Sequence, residues 1–175
     1  MRIPKRALML APVFVLAIVF AALPTVTFGG NSRDFHAKLT GYNEVPLAIN
    51  TDGFATLKLH LDDRAQSISF RYEFSGLTSN LVQSHIHFGK EHVAGNVVVF
   101  FCGPVVPPAT QTCPSATSGV VSGTLTPANI IADTAQNINA GDMTAVFNAI
   151  RNDTAYANLH SVNFPTGEIR GQVED

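Results

Sequence analysis

Ala55-Thr56-Leu57-Lys58-Leu59-His60-Leu61 alternates apolar and polar side chains at every step, the period-two pattern of a strand with one face buried. The turn-forming run Asn50-Thr51-Asp52-Gly53 precedes it, and Asp62-Asp63-Arg64-Ala65-Gln66 separates it from Ser67-Ile68-Ser69-Phe70-Arg71-Tyr72-Glu73-Phe74. Two alternating segments joined by a short polar turn predict a β-hairpin.

The same grammar extends in both directions. Phe35 to Leu39 alternates, Val82 to Phe88 reads as a strand, and Gly95-Asn96 opens the apolar run Val97 to Phe101. Gly119 to Leu125, Ala155 to His160 and Glu168 to Val173 supply three more strands, the last after the turn Pro165-Thr166-Gly167. Two places break the pattern. Thr126-Pro127 has the cap and first-turn proline of a short helix, and Met143, Val146, Phe147 and Ile150 fall at helical spacing behind Gly141-Asp142. The expected fold is all-β or mainly β: a Greek-key-like sandwich or incomplete barrel of about eight strands with two short helical insertions.

Ahead of this region, Arg2, Lys5 and Arg6 precede an apolar run from Ala7 to Ala22 that ends in Leu23-Pro24. A basic head and a short apolar middle read as an export signal, with a retained membrane anchor as the competing reading. The expected organisation is a signal peptide over residues 1–24, a short linker over 25–34 and one domain over 35–175. Without the three basic residues of the leader, eight basic side chains face thirteen acidic ones, a formal net charge of −5. That sign gives no footing for nucleic acid or an anionic membrane surface. Cys102 and Cys113, the only cysteines, bracket Pro104, Pro107 and Pro108. In an oxidising compartment they pair as a disulfide that pins the loop. Two metal thiolates are the weaker alternative, since the spacing is not that of a zinc knuckle and the loop holds no histidine.

The chemistry-bearing feature is His85-Ile86-His87. In an extended strand the two imidazoles project from one face, about 6.6 to 6.8 Å apart along the chain. They can converge on one ion, and His160, at the end of Tyr156-Ala157-Asn158-Leu159-His160, can close a three-histidine site suited to copper or zinc. Alternate histidines on a wet sheet face give the competing structural reading. His92, His60 and His36 are weaker ligand candidates. Glu44, in Gly41-Tyr42-Asn43-Glu44-Val45-Pro46, reads first as a hydrogen-bond or ion-pair anchor, and Glu168 and Arg170 alternate on one strand face where they pair or clamp a loop. No nucleophile elbow surrounds Ser84, and no phosphate-cradling glycine loop is present.

Four segments together resemble the CHRD domain family, named after the repeated domain of chordin and found in short exported microbial proteins. They are Leu39-Thr40-Gly41-Tyr42-Asn43-Glu44-Val45-Pro46, Ser84-His85-Ile86-His87-Phe88-Gly89, Ala155-Tyr156-Ala157-Asn158-Leu159-His160-Ser161 and Pro165-Thr166-Gly167-Glu168-Ile169-Arg170-Gly171-Gln172. The resemblance spans about Phe35 to Val173. It implies a compact β-rich domain and links Glu44, His85, His87, Asn158, His160, Glu168 and Arg170 as pattern positions. The chain departs from the pattern at Phe88, where a small residue is usual, at Ser161, where threonine is expected, and at Pro165-Thr166-Gly167, where Pro-Gly-Gly is common.

These readings lead to an exported metal-binding module, with copper favoured over zinc. His85, His87 and His160 are its expected ligands, Glu44 or Glu168 would organise them, and Arg170 would tune the local charge. Its task would be metal retention, delivery or a metal-stabilised interaction. Two alternatives stand beside it: a non-catalytic structural or adhesive domain contacting an envelope or extracellular protein, and a copper-dependent redox enzyme loosely similar to copper/zinc superoxide dismutase.

Overall fold

The computed structural model describes residues 34–103 and 111–175, so the expected signal peptide, most of the linker and the three loop prolines lie outside the described residues. Eight strands form one antiparallel sheet: β1 (Asp34–Thr40), β2 (Phe54–Asp62), β3 (Ser67–Ser75), β4 (Leu81–Phe88), β5 (Asn96–Cys102), β6 (Gly119–Leu125), β7 (Ala155–Ser161) and β8 (Ile169–Gln172). Their order across the sheet is β5-β4-β7-β8-β1-β2-β3-β6. The sheet curls until its two edges approach, and the Gln111 side-chain amide donates to the carbonyl of Phe101 on β5 and to that of Ser122 on β6. Of the two expected architectures, the incomplete barrel is the observed one.

The hairpin of β2 and β3 forms where the alternation places it, with Leu57 opposite Tyr72 and Leu59 opposite Phe70. Ala55, Leu57, Leu59, Leu61, Ile68, Phe70, Tyr72 and Phe74 all face the barrel interior and are buried. The turn is held by the Asp62 carboxylate, which accepts from the backbone N–H groups of Arg64 and Ala65. Aromatic packing joins the two sides of the sheet, since Phe101 of β5 lies against Phe70 and Tyr72 of β3. Deeper in, the Tyr72 hydroxyl meets Ser84 Oγ at 2.7 Å. Burial raises the Tyr72 pKa well above the ordinary phenol value, and the Ser84 hydrogen bond offsets part of that rise.

One α-helix, α1 (Met143–Arg151), interrupts the strands. The Asp142 carboxylate caps it by accepting from the Ala145 N–H, and Met143, Val146, Phe147 and Ile150 are buried. Arg151 fastens its far end to Asp63 of the β2–β3 turn at 2.6 Å. The helix expected at Thr126-Pro127 is a single 3-10 turn over Pro127–Asn129, because no apolar stripe follows to pack a longer one. Further 3-10 turns at Gly41–Asn43 and Thr134–Gln136 have no periodic signal in the sequence. Cys102 and Cys113 form the expected disulfide.

Candidate metal centre

β7 pairs with β4 on one side and β8 on the other. Ala155, Ala157 and Leu159 belong to the interior core, so the alternation turns Tyr156, Asn158 and His160 to the outer face. In β2 and β3 the outward positions are largely exposed, but every residue of β7 is buried. Three segments cover this outer face. Residues 41–50 bring Glu44 over it, residues 89–95 are drawn down by the Arg170 guanidinium, and residues 162–167 reach His160 through the Pro165 carbonyl.

Beneath this cover the three histidines meet. The register sets His85 opposite Asn158 and Gln83 opposite His160, so β4 and β7 deliver their imidazoles to one spot. The ring centroids of His85 lie 4.5 Å from those of both His87 and His160. The His85 to His87 separation is shorter than the chain repeat predicts. Register shifts against β5 between Ser84 and His85 and between Ile86 and His87 mark irregular pairing here, and such bulges twist a strand and re-aim its side chains. One ring nitrogen from each of the three lies within 4.8 Å of the others, and no other such group of three histidine, cysteine, aspartate or glutamate side chains forms among the described residues.

The hydrogen bonds fix which nitrogens are available. His87 Nδ1 donates to the Gly95 carbonyl at 2.9 Å, and His160 Nδ1 donates to the Pro165 carbonyl at 2.8 Å. Each bond puts the proton on Nδ1 and leaves a lone pair on Nε2. His87 Nε2, His160 Nε2 and His85 Nδ1 are buried without a hydrogen-bond partner. Burial lowers the pKa of all three rings: His85 falls well below the ordinary value, with the neighbouring imidazoles adding to the effect, and His87 falls to about 4. All three are therefore neutral at pH 7, the protonation state in which an imidazole can ligate a metal.

The surroundings are aromatic. Tyr156 stacks on His87 at 4.4 Å with the planes 7° apart, and Phe100 meets His85 edge-on at 5.1 Å. From β8, the Arg170 guanidinium lies 3.5 Å from the centre of the same Tyr156 ring and donates to the carbonyls of Lys90 and Val93. Gly95 permits this closure, because a Cβ there would lie 1.9 Å from the Phe88 carbonyl oxygen.

The remaining expected residues take distinct positions. Glu44 is buried, and both of its oxygens accept from Asn158 Nδ2, at 3.1 and 3.2 Å. Burial pushes its pKa up to about 7, opposed by Asn158, Arg170 and the Val45 backbone. Gly167, at φ +130, lets the 162–167 loop pass: a Cβ there would sit 2.9 Å from Glu44 Oε1. Glu168 is fully buried and accepts from Thr51 Oγ1 and from the backbone and side chain of Thr78. Its carboxylate thus clamps the β1–β2 and β3–β4 connections. His92 is exposed beside Glu91, His60 pairs with Asp34 at 2.8 Å, and His36 is exposed on β1. None of these three histidines joins the cluster. Sequence reasoning did not single out Tyr156, although its spacing from Asn158 and His160 puts it on their face.

The donor set fits a metal ion. Drawing three imidazole nitrogens in to about 2.0–2.1 Å needs inward movement of less than about 1 Å by each ring, and the buried, unpartnered nitrogens have lone pairs to give.

A model of the CHRD domain family matches residues 35–173. No curated protein and no solved structure matches the chain.

Proposed function

The chain belongs to the CHRD domain family, an extracellular, structural kind of module, and on that footing we propose that it is an extracytoplasmic metal-binding domain that holds copper in preference to zinc through His85, His87 and His160. One observation carries the reading: one ring nitrogen from each of the three histidines lies within 4.8 Å of the others, and each ring holds a buried nitrogen without a hydrogen-bond partner, with the tautomers of two rings set by backbone carbonyls. A buried polar atom without a partner costs about 1–3 kcal/mol, and a bound ion would repay that cost at all three nitrogens together. The disulfide and the family fit an oxidising, extracytoplasmic setting. In this setting the domain would retain copper, deliver it, or use it to stabilise an interaction with an envelope or extracellular protein.

The residues around the ligands have defined tasks in this reading. Gly95 and Pro165 orient two rings through their carbonyls, as backbone acceptors do behind many ligating histidines. Tyr156 fixes the plane of His87, and Asn158, with Glu44 behind it, fills the space across from His85.

The test is metal content of the purified protein, followed by copper and zinc titrations of the wild type and of H85A, H87A and H160A. One equivalent of ion in the wild type, with affinity reduced at least about tenfold in each variant, is the expected result. Equal binding by all four proteins, or no specific binding by any, would remove the three-histidine site from consideration.

A further inference from the structure

Resting on the metal-binding reading, we infer that this centre is built for monovalent copper, Cu(I), and that Arg170 helps it discriminate against divalent ions. Three features converge. The first is ligand count and charge: the converging set contains three neutral imidazoles and no carboxylate or thiolate. The nearby carboxylates are committed elsewhere, Glu44 to Asn158 and Glu168 to Thr51 and Thr78. Zinc on three histidines still needs a fourth ligand such as water, whereas Cu(I) is satisfied by three nitrogens alone.

The second feature is burial. His85 and His160 are 1% and 6% exposed, and the cost of bringing an ion out of water grows with the square of its charge. A divalent ion therefore pays about four times the desolvation penalty of a monovalent one, and this ligand set brings no negative charge to offset it.

The third feature is a fixed positive charge. The Arg170 guanidinium is buried, is held by two backbone carbonyls, and sits one aromatic ring away from His87. It repels a doubly charged ion twice as strongly as a singly charged one. With 3.5 Å from the guanidinium to the Tyr156 ring and 4.4 Å from that ring to His87, a unit charge roughly 8 Å away in a medium of effective dielectric about 20 shifts that preference by at most about 30-fold, and the Glu44 carboxylate near Arg170 reduces the shift when it is ionised.

The experiment is a set of competition titrations on the wild type: Cu(I) without oxygen against a colorimetric Cu(I) chelator, and Zn(II) and Cu(II) against chelators of known affinity. The same titrations on Arg170→Gln and Arg170→Lys, with folding checked by circular dichroism, separate charge from packing. The expected result is Cu(I) bound more tightly than Zn(II) and Cu(II). The Cu(I)-to-Zn(II) affinity ratio should fall severalfold, by at most about 30-fold, in R170Q and stay near the wild-type value in R170K. Wild-type protein that binds Zn(II) or Cu(II) as tightly as Cu(I) would overturn this inference and leave the metal-binding reading standing. Absence of any specific ion would overturn both. An R170Q ratio equal to that of the wild type would overturn the role of Arg170, and if R170Q does not fold, an unchanged ratio in Arg170→Met, which removes the charge and keeps an apolar stem, would overturn it.

Discussion

The β2–β3 hairpin and strand β7 have similar alternating sequences and opposite fates on the outside of the barrel. Lys58, His60, Arg71 and Glu73 face outward into water, while Tyr156, Asn158 and His160 face outward beneath three loop segments. In the hairpin the inner face carries the stability and the outer face carries solubility. At β7 a second buried layer lies outside the sheet, and it is polar. Polar groups under cover must find partners. Asn158 finds Glu44, Arg170 finds two carbonyls, and the histidines find a partner for only one nitrogen on each of His87 and His160. Asn158 Oδ1, Arg170 Nη1, Arg151 Nε and Gln172 Oε1 are also buried without a partner among the described residues, but only at the histidines do three metal-ligating side chains bring such atoms together.

The comparison can be broken at either layer. Leu57→Ala on the inner face should cost about 2–5 kcal/mol, read as a lower urea midpoint, while the metal affinity of the folded fraction stays unchanged. If Leu57→Ala shifts metal affinity as much as stability, the two layers are not independent. Asn158→Ala strips the hydrogen bonds from a buried carboxyl and should cost about 1–3 kcal/mol. In this variant metal affinity should fall as well, because Asn158 lies opposite His85.

The smallest effect is the response to acid. The three histidines have pKa values below the ordinary 6.5, so below pH 6.5 the unfolded chain takes up protons that the folded chain refuses. Stability falls as the pH drops from about 6.5 toward 4. Glu44 works the other way: raised from 4.5 to about 7, it is protonated first in the folded state, and its contribution is lost as the pH rises through 7. Three groups against one leave a net loss in acid, partly offset. Urea midpoints at pH 7.5 and pH 4.5 measure it, and Glu44→Gln, which removes the offset, should steepen the loss. A midpoint that rises in acid in the wild type would contradict the buried neutral imidazoles.

Period-two alternation made β1, β2 and β3 legible because one face of each meets the core and the other meets solvent. The heptad-like spacing and Asp142 made α1 legible for the same reason. His85 and His87 could be placed on one face by strand geometry alone, His160 followed from its place at the end of a second strand, and the family pattern linked all three. Sheet order could not be read, because β4 pairs with β7 across more than sixty intervening residues and no local propensity encodes that choice. Nor could the outer cover. An outward polar residue looks the same in sequence whether water or a loop lies above it, which is why Tyr156 passed as an ordinary strand residue and the clamp of Glu168 on Thr51 and Thr78 was invisible.

Gln111, which bridges the carbonyls of Phe101 and Ser122, lies within the ring closed by Cys102 and Cys113. Strands β5 and β6 are the two margins of the sheet, and an open margin is a template onto which a strand from another molecule can add. The crosslink holds Gln111 beside the seam, where one side-chain amide occupies a carbonyl on each margin.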